Sequence, residues 1–226
     1  MSSETIGVGA APGISLLHVD DDMLVLDKPS GLLAVPGRGP ENQDCLSARV
    51  QARFPDALIV HRLDMATSGL IVMARGIEAQ RRLSASFEKR QVHKRYVAVV
   101  AGTLDNPQPD NGWNTIDLPL MVDWLNRPRS IVHHEMGKPS LTHWRLEGEQ
   151  PHAGGMTRVL LEPVTGRSHQ LRVHLQAIGH PIAGDPLYAD EARRALAPRL
   201  LLHACVLELP HPRSTERVRF ESPVPF

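Results

Sequence analysis

Apolar residues come in short runs broken by Gly, Pro and Asp, and this punctuation restricts the fold more than any other feature of the sequence. No run approaches the roughly 18 residues that a membrane-spanning helix needs, and runs this short, bounded by turn residues, read as strands. Residues 14–19 and 23–26 are two such runs, separated by Asp20, Asp21 and Asp22, which predicts a hairpin turned by aspartates. Further strands are expected at 95–101 (ended by Gly102), 130–134, 140–146, 156–161, 200–209 and 217–220. Helices are fewer. The spacing of Ile77, Ala79, Leu83 and Phe87 predicts an amphipathic helix over 77–90, a weaker one covers 47–53, and 168–178 reads as a helix with Ser168 as N-cap and Gly179 beyond its end. Pro29, Gly31, Pro36, Gly37, Gly39 and Pro40 make 28–40 a loop, and a surface loop is expected over 105–114. Strands outnumber dispersed helices, which predicts an α+β fold: one domain over 14–226 on a mixed, mostly antiparallel sheet, preceded by a loose leader at 1–13.

The 226 residues suffice for a sizeable core, and 42% hydrophobic with 22% charged residues is ordinary for a soluble globular protein. The N-terminus lacks the basic start and apolar segment of a secretory signal, so a cytoplasmic protein is expected. Cys45 and Cys205 have no CxxC spacing and read as isolated buried thiols, not as a disulfide or a thiolate metal site. A net charge of zero argues against coating nucleic acid by charge alone. Locally the balance differs: residues 75–95 hold seven Lys and Arg against two Glu, either a basic binding face or a solvated helix.

Three segments carry candidate chemistry. In IVHRLDMATSGLIVMARG (59–76), alternation along an extended chain sends His61 and Leu63 one way and Arg62 and Asp64 the other, so Arg62 and Asp64 share a cleft; alternatively, Asp64 caps a turn and His61 is a satisfied core ring. In VTGRSHQLRVHLQAIGH (164–180), Arg167 is expected beside a helix N-terminus, a place suited to an anion. His169 and His174 stand about 140° apart around such a helix and cannot readily share one ion, and without HxxxH, HExxH or a Cys pair no catalytic metal is indicated. In HKRYVAVVAG (93–102), Tyr96 beside Lys94 and Arg95 suits a base-stacking ring or a core-rim tyrosine.

Together with LDKPSGLLAVPGR (26–38), TGRSHQLRVHLQAIGHPIAGDPLY (165–188) and RLLLHA (199–204), these segments, in this order, resemble the RluA-type RNA pseudouridine synthases from about residue 15 to the end. HRLD followed by TSGL, with TGRSHQLRVH about a hundred residues later, is a specific pair of signals. The details, including MATSG and NRPRS at 126–130, look most like members acting on both 23S ribosomal RNA and the tRNA anticodon stem-loop. Many relatives carry an N-terminal S4 domain, for which there is no room here. The resemblance implies isomerisation of uridine to its C-glycoside with no metal or organic cofactor, by a cytoplasmic monomer that partners RNA. It makes Asp64 the catalytic carboxylate, Arg167 the cation paired with it, Tyr96 the ring that stacks on uracil, and Leu202 an apolar wall of the base pocket. Arg62 would replace the flipped base in its stack, His61 would line the substrate site, and Arg127 and Arg129 would hold phosphates. Two rivals remain at this stage: an RNA-binding module without chemistry, and a hydrolase using Asp64 with a metal.

Overall fold

A computed structural model describes residues 14–104, 112–148 and 155–226. The leader and most of the loop expected at 105–114 lie outside the described residues. The elements run β1 (Ser15–Val19), β2 (Met23–Lys28), a 3-10 turn (Pro40–Asn42), α1 (Leu46–Gln51), β3 (Ala57–Ile59), β4 (Ser68–Arg75), α2 (Ile77–Glu88) and β5 (His93–Ala101). They continue with β6 (Asn114–Asp117), β7 (Leu120–Val122), β8 (Ser130–Val132), β9 (Leu141–Leu146), β10 (Met156–Pro163), α3 (Gln170–Ala177), α4 (Glu191–Arg194), β11 (Leu202–Pro210) and β12 (Arg217–Glu221).

The expected aspartate turn forms, with Asp20 Oδ1 accepting from the backbone N–H groups of Asp22 and Met23 at 2.7 and 2.8 Å. Among the described residues ten strands make one sheet in the order β1-β2-β4-β11-β5-β10-β9-β6, with β12 on β11 and β3 on β4; β7 and β8 form a separate hairpin. Every adjacent pair in the large sheet is antiparallel except β4 and β11, which meet in parallel at Ser68–His203 and Gly69–Ala204. This is the expected mixed, mostly antiparallel α+β architecture. The β4–β11 junction requires Gly69: its φ is 113°, and a Cβ there would stand 2.3 Å from the carbonyl oxygen of Ala204.

Apolar residues pack on both faces. One face of the central strands joins Val99, Leu161, Leu171, Leu175 and Leu202 under α3, and α2 covers Val72, Ala74 and Leu207 through Ala79 and Leu83. Both cysteines are buried and free, as expected of isolated thiols. No helix among the described residues is long and apolar enough to cross a membrane.

The helix expected from Ser168 begins at Gln170, capped instead by His169 in a left-handed conformation with φ 56°. Arg167 and Ser168 therefore precede the helix. Residues 77–90 also end early: Lys89 caps α2 and Arg90 turns the chain at φ 57°.

Candidate active site

The segment from Val60 to Thr67 leaves the sheet between β3 and β4 and is fastened from below by the loop after β2. Lys28 is fully buried, and its ammonium donates to the carbonyls of Pro29, Leu32 and Met65 at 2.8, 2.8 and 3.1 Å. Burial lowers its pKa to about 8. Ser30 Oγ donates to the Ala66 carbonyl and the Gly31 amide to that of Met65, so the residues following Asp64 are bound to the β2 loop at three points. Thr67 and Ser68 are buried, with the Thr67 amide on the Asp64 carbonyl and Ser68 Oγ 2.9 Å from His203 Nδ1. These hydroxyl residues support the loop. Thr67 also lines the cavity above it, while Ser68 does not.

A cavity of about 770 Å³ opens over this loop. Arg62, Asp64, Tyr96, Arg167 and Leu202 all line it, together with His61, Lys94, His169 and Arg172. Arg62 and Asp64 share the cleft as expected, but Leu63, although packed in the core, lines it too. His61 also reaches the cavity wall, contrary to a strict alternation, because the chain has already left the strand at Ile59. Its Nε2 accepts the Val72 amide at 3.1 Å and its ring stacks on Phe87 at 4.6 Å. Burial, with the charge of Lys94 adding, lowers its pKa to about 3, so the ring is neutral. Arg62 is exposed and has no hydrogen-bond or ion-pair partner among the described residues.

The cation beside Asp64 is not Arg167. Arg172 Nη1 donates to Asp64 Oδ2 at 3.1 Å, whereas Arg167 Nε reaches the Pro139 carbonyl at 3.3 Å. The left-handed turn at His169 is the reason: it starts the helix after Arg167, leaving that side chain outside, and brings Arg172 round onto the buried side of α3. The remaining edge of Arg172 grips Asp185 in a two-point pair, Nε to Oδ2 at 2.8 Å and Nη2 to Oδ1 at 2.7 Å. Burial of Arg172 disfavours its charge, but the carboxylates of Asp185 and Asp64 outweigh that and raise its pKa. A signal for Arg172 was present in the sequence: an arginine between Leu171 and Val173 in an apolar helix has to be paired with an acid.

Tyr96 stands on β5 opposite Leu161 and Ala204. Burial, with Asp64 adding, pushes its hydroxyl well above the ordinary tyrosine range, so it is a neutral phenol. Lys94 lies two residues earlier, and burial lowers its pKa to about 8. Its ammonium has no bonded partner among the described residues. The basic run 75–95 does not form one face. Arg75, Arg81 and Arg95 pair with Asp56, Glu78 and Glu162, Arg82 donates to the Pro212 carbonyl, and Lys94 alone of the seven enters the cavity.

At the rim, the β7–β8 hairpin presents Pro128 to the cavity. Its neighbours pack on rings: the guanidinium of Arg127 is 4.2 Å from the Trp124 ring centre and that of Arg129 is 5.4 Å from that of Tyr188. Tyr188 also lies under Arg172 at 5.0 Å and hydrogen-bonds His169 Nδ1 at 2.7 Å. No local periodicity places Tyr188 here, since its contacts join separate loops.

Comparison with known proteins bears on this arrangement. Residues 22–177 match the family model of RNA pseudouridylate synthases. Over all 226 residues, and the whole of the relative, the chain is 47% identical to the dual-specificity RNA pseudouridine synthase RluA of Escherichia coli K12. It is 48% identical to the Yersinia pestis protein of that name, over 93% of this chain and 99% of the relative. Among solved structures, human RNA pseudouridylate synthase domain containing 1 superposes with a TM-score of 0.77 at 30% identity, covering 97% of this chain and 86% of that one.

Proposed function

Since this chain belongs to the RNA pseudouridylate synthase family and is an RNA pseudouridine synthase, we propose that it isomerises uridines in stem-loops of two RNA classes, 23S ribosomal RNA and the anticodon arm of tRNA. The observation that carries the reading is the convergence of Asp64, Arg172, Tyr96 and Leu202 on one cavity, with Asp64 tethered by Arg172 at 3.1 Å. In the reaction the C1′–N1 bond breaks, the uracil turns, C5 bonds to C1′, and the C5 proton departs. Asp64 acts on the sugar, as nucleophile at C1′ or as base at C2′, and both require the carboxylate form beside the permanent cation of Arg172. Tyr96 offers its ring face to the base. Because burial keeps its phenol protonated, it is not a resident phenolate that could take the C5 proton.

A stacked uridine must first be extruded, at a cost of a few kcal/mol. The unpartnered Arg62 at the cavity mouth has the flat guanidinium that suits the vacated stack. Arg127, Arg129 and Lys94 supply charge for phosphates, and Arg167, exposed at the rim, joins them once its role beside Asp64 passes to Arg172. The enzyme works as a monomer in the cytoplasm, on a single catalytic domain over 14–226. Dual specificity follows the name of the relatives; the same reaction on one RNA class is the narrower alternative.

Release of tritium from C5-labelled uridine in total RNA, followed by mapping of the modified sites, tests reaction and substrates together. Asp64→Asn is expected to keep RNA affinity within about threefold while abolishing release, because it removes the charge and little volume. Appreciable turnover by that variant would overturn the assignment. Full activity is expected in excess EDTA; activity lost to chelation and restored by a divalent metal would favour the metallohydrolase reading.

A further inference from the structure

Building on the reaction assigned above, we infer that His169 is a positioning residue for Asp64, fixed by Tyr188 as the Nε2–H tautomer and tied through it to the β7–β8 hairpin. The available protons fix the tautomer. The backbone amide of Ser130 can only donate, and it lies 2.7 Å from the Tyr188 hydroxyl. That hydroxyl lies 2.7 Å from His169 Nδ1 and has no other bonded partner among the described residues. The phenol therefore accepts from Ser130 and gives its proton to Nδ1. Burial, only partly offset by Asp64, lowers the His169 pKa, which keeps the ring neutral. Its remaining proton sits on Nε2, 3.8 Å from Asp64 Oδ2. That separation is too long for a hydrogen bond in the free enzyme, but such contacts commonly tighten when substrate is bound.

Two further observations point the same way. His169 holds a left-handed φ of 56°, which L side chains adopt sparingly and which persists where the surroundings over-determine it. This turn aims the imidazole from outside the first turn of α3 back over the catalytic loop. In addition, the Tyr188 ring is approached by the guanidinium of Arg172 at 5.0 Å, which also donates to Asp64, and by that of Arg129 on the hairpin at 5.4 Å. Both groups that address Asp64, Arg172 and His169, are thus held by one tyrosine, and that tyrosine is held by Ser130 beside the cations assigned to RNA. RNA seated on the hairpin consequently bears on the geometry of the Asp64 carboxylate through the hydrogen bond from Ser130 to Tyr188.

The test uses the full chain with 15N-labelled histidine. A long-range proton–nitrogen spectrum, with the His169 ring assigned by its loss in His169→Gln, should show the Nε2–H tautomer in the wild type and a mixture in Tyr188→Phe. In steady-state assays on a stem-loop RNA, Tyr188→Phe should lower kcat about five- to tenfold with KM within about twofold, and His169→Gln, which keeps an amide donor near Nε2, should retain more kcat than His169→Ala. An Nδ1–H tautomer in the wild type, or a kcat for folded His169→Ala within about twofold of wild type, would overturn the proposal. If His169→Ala does not fold, the Tyr188→Phe spectrum and its kcat decide. Asp64→Asn runs alongside: turnover there sinks the reaction assignment, whereas the tautomer is read from the spectrum without any turnover.

Discussion

Lys94 enters the cavity as an ammonium with no carboxylate on it, and burial lowers its pKa to about 8 from 10.5. The sign of its pH effects follows from that shift. Between about 8 and 10.5 the unfolded chain binds more proton at this residue than the folded chain does, so the free enzyme's stability rises with pH across that window. Affinity for RNA runs the other way, because a phosphate meets a cation only below about 8. KM for RNA is therefore expected to climb between pH 7 and 9, by at most about tenfold per unit above the pKa, and Lys94→Arg should flatten the climb. A wild-type KM that is level over this range would show that Lys94 meets no anion. Arg172 provides a second prediction on the same scale. Arg172→Met leaves the fully buried Asp185 carboxylate without its two-point partner, and should cost about 3–5 kcal/mol in urea unfolding as well as abolishing turnover. A loss below about 1 kcal/mol would mean that the Leu187 and Tyr188 amides, which also donate to Asp185, suffice for its charge.

At the scale of elements, the site depends on the one junction of parallel strands in the sheet among the described residues, where β4 leaves the catalytic loop against β11. Gly69→Ala places a methyl group 2.3 Å from the Ala204 carbonyl at a φ of 113°, and β11 cannot retreat without disturbing its pairing to β5 and the cavity wall at Leu202. The variant should lose about 1–3 kcal/mol in stability and lower kcat more than KM, as read by thermal unfolding and steady-state assays. Elements of this kind were legible in the sequence because their signals are local: apolar runs bounded by Asp or Gly gave the β1–β2 hairpin, and helical spacing gave α2. The candidate site was legible where a residue lies within a continuous motif, as Asp64, Arg62, Tyr96 and Leu202 do. It was misread where two arginines five residues apart competed, since choosing between Arg167 and Arg172 depends on where α3 starts. That start is set by the φ of His169, a conformation usually left to glycine. Tyr188 and Lys28 act through contacts with β8 and with Met65, far away along the chain, and no periodicity records such pairings.

On the scale of the whole molecule, an enzyme of zero net charge must bind a polyanion through a local arrangement of cations. Of the seven basic residues in the richest run, three are paired with Asp or Glu, one donates to a backbone carbonyl and only Lys94 enters the cavity, so RNA is expected to meet Lys94 together with Arg62, Arg127, Arg129 and Arg167 around it. Under the proposed function these side chains divide into two kinds. Neutralising a phosphate releases a counterion, so Arg127→Ala and Arg129→Ala should each weaken binding evenly for all RNAs and reduce the steepness of log affinity against log salt by about 1. Arg62 has a different task if it fills the space of an extruded base. Arg62→Ala should then leave the salt slope nearly intact and depress kcat/KM on a uridine held in a stem-loop by at least about tenfold more than on the same uridine in a flexible single strand, where little stacking has to be replaced. The comparison is internal to one variant, so a general loss of stability or of charge moves both substrates together. Equal losses on the two RNAs would reduce Arg62 to one more phosphate contact and leave extrusion to the remaining walls of the cavity.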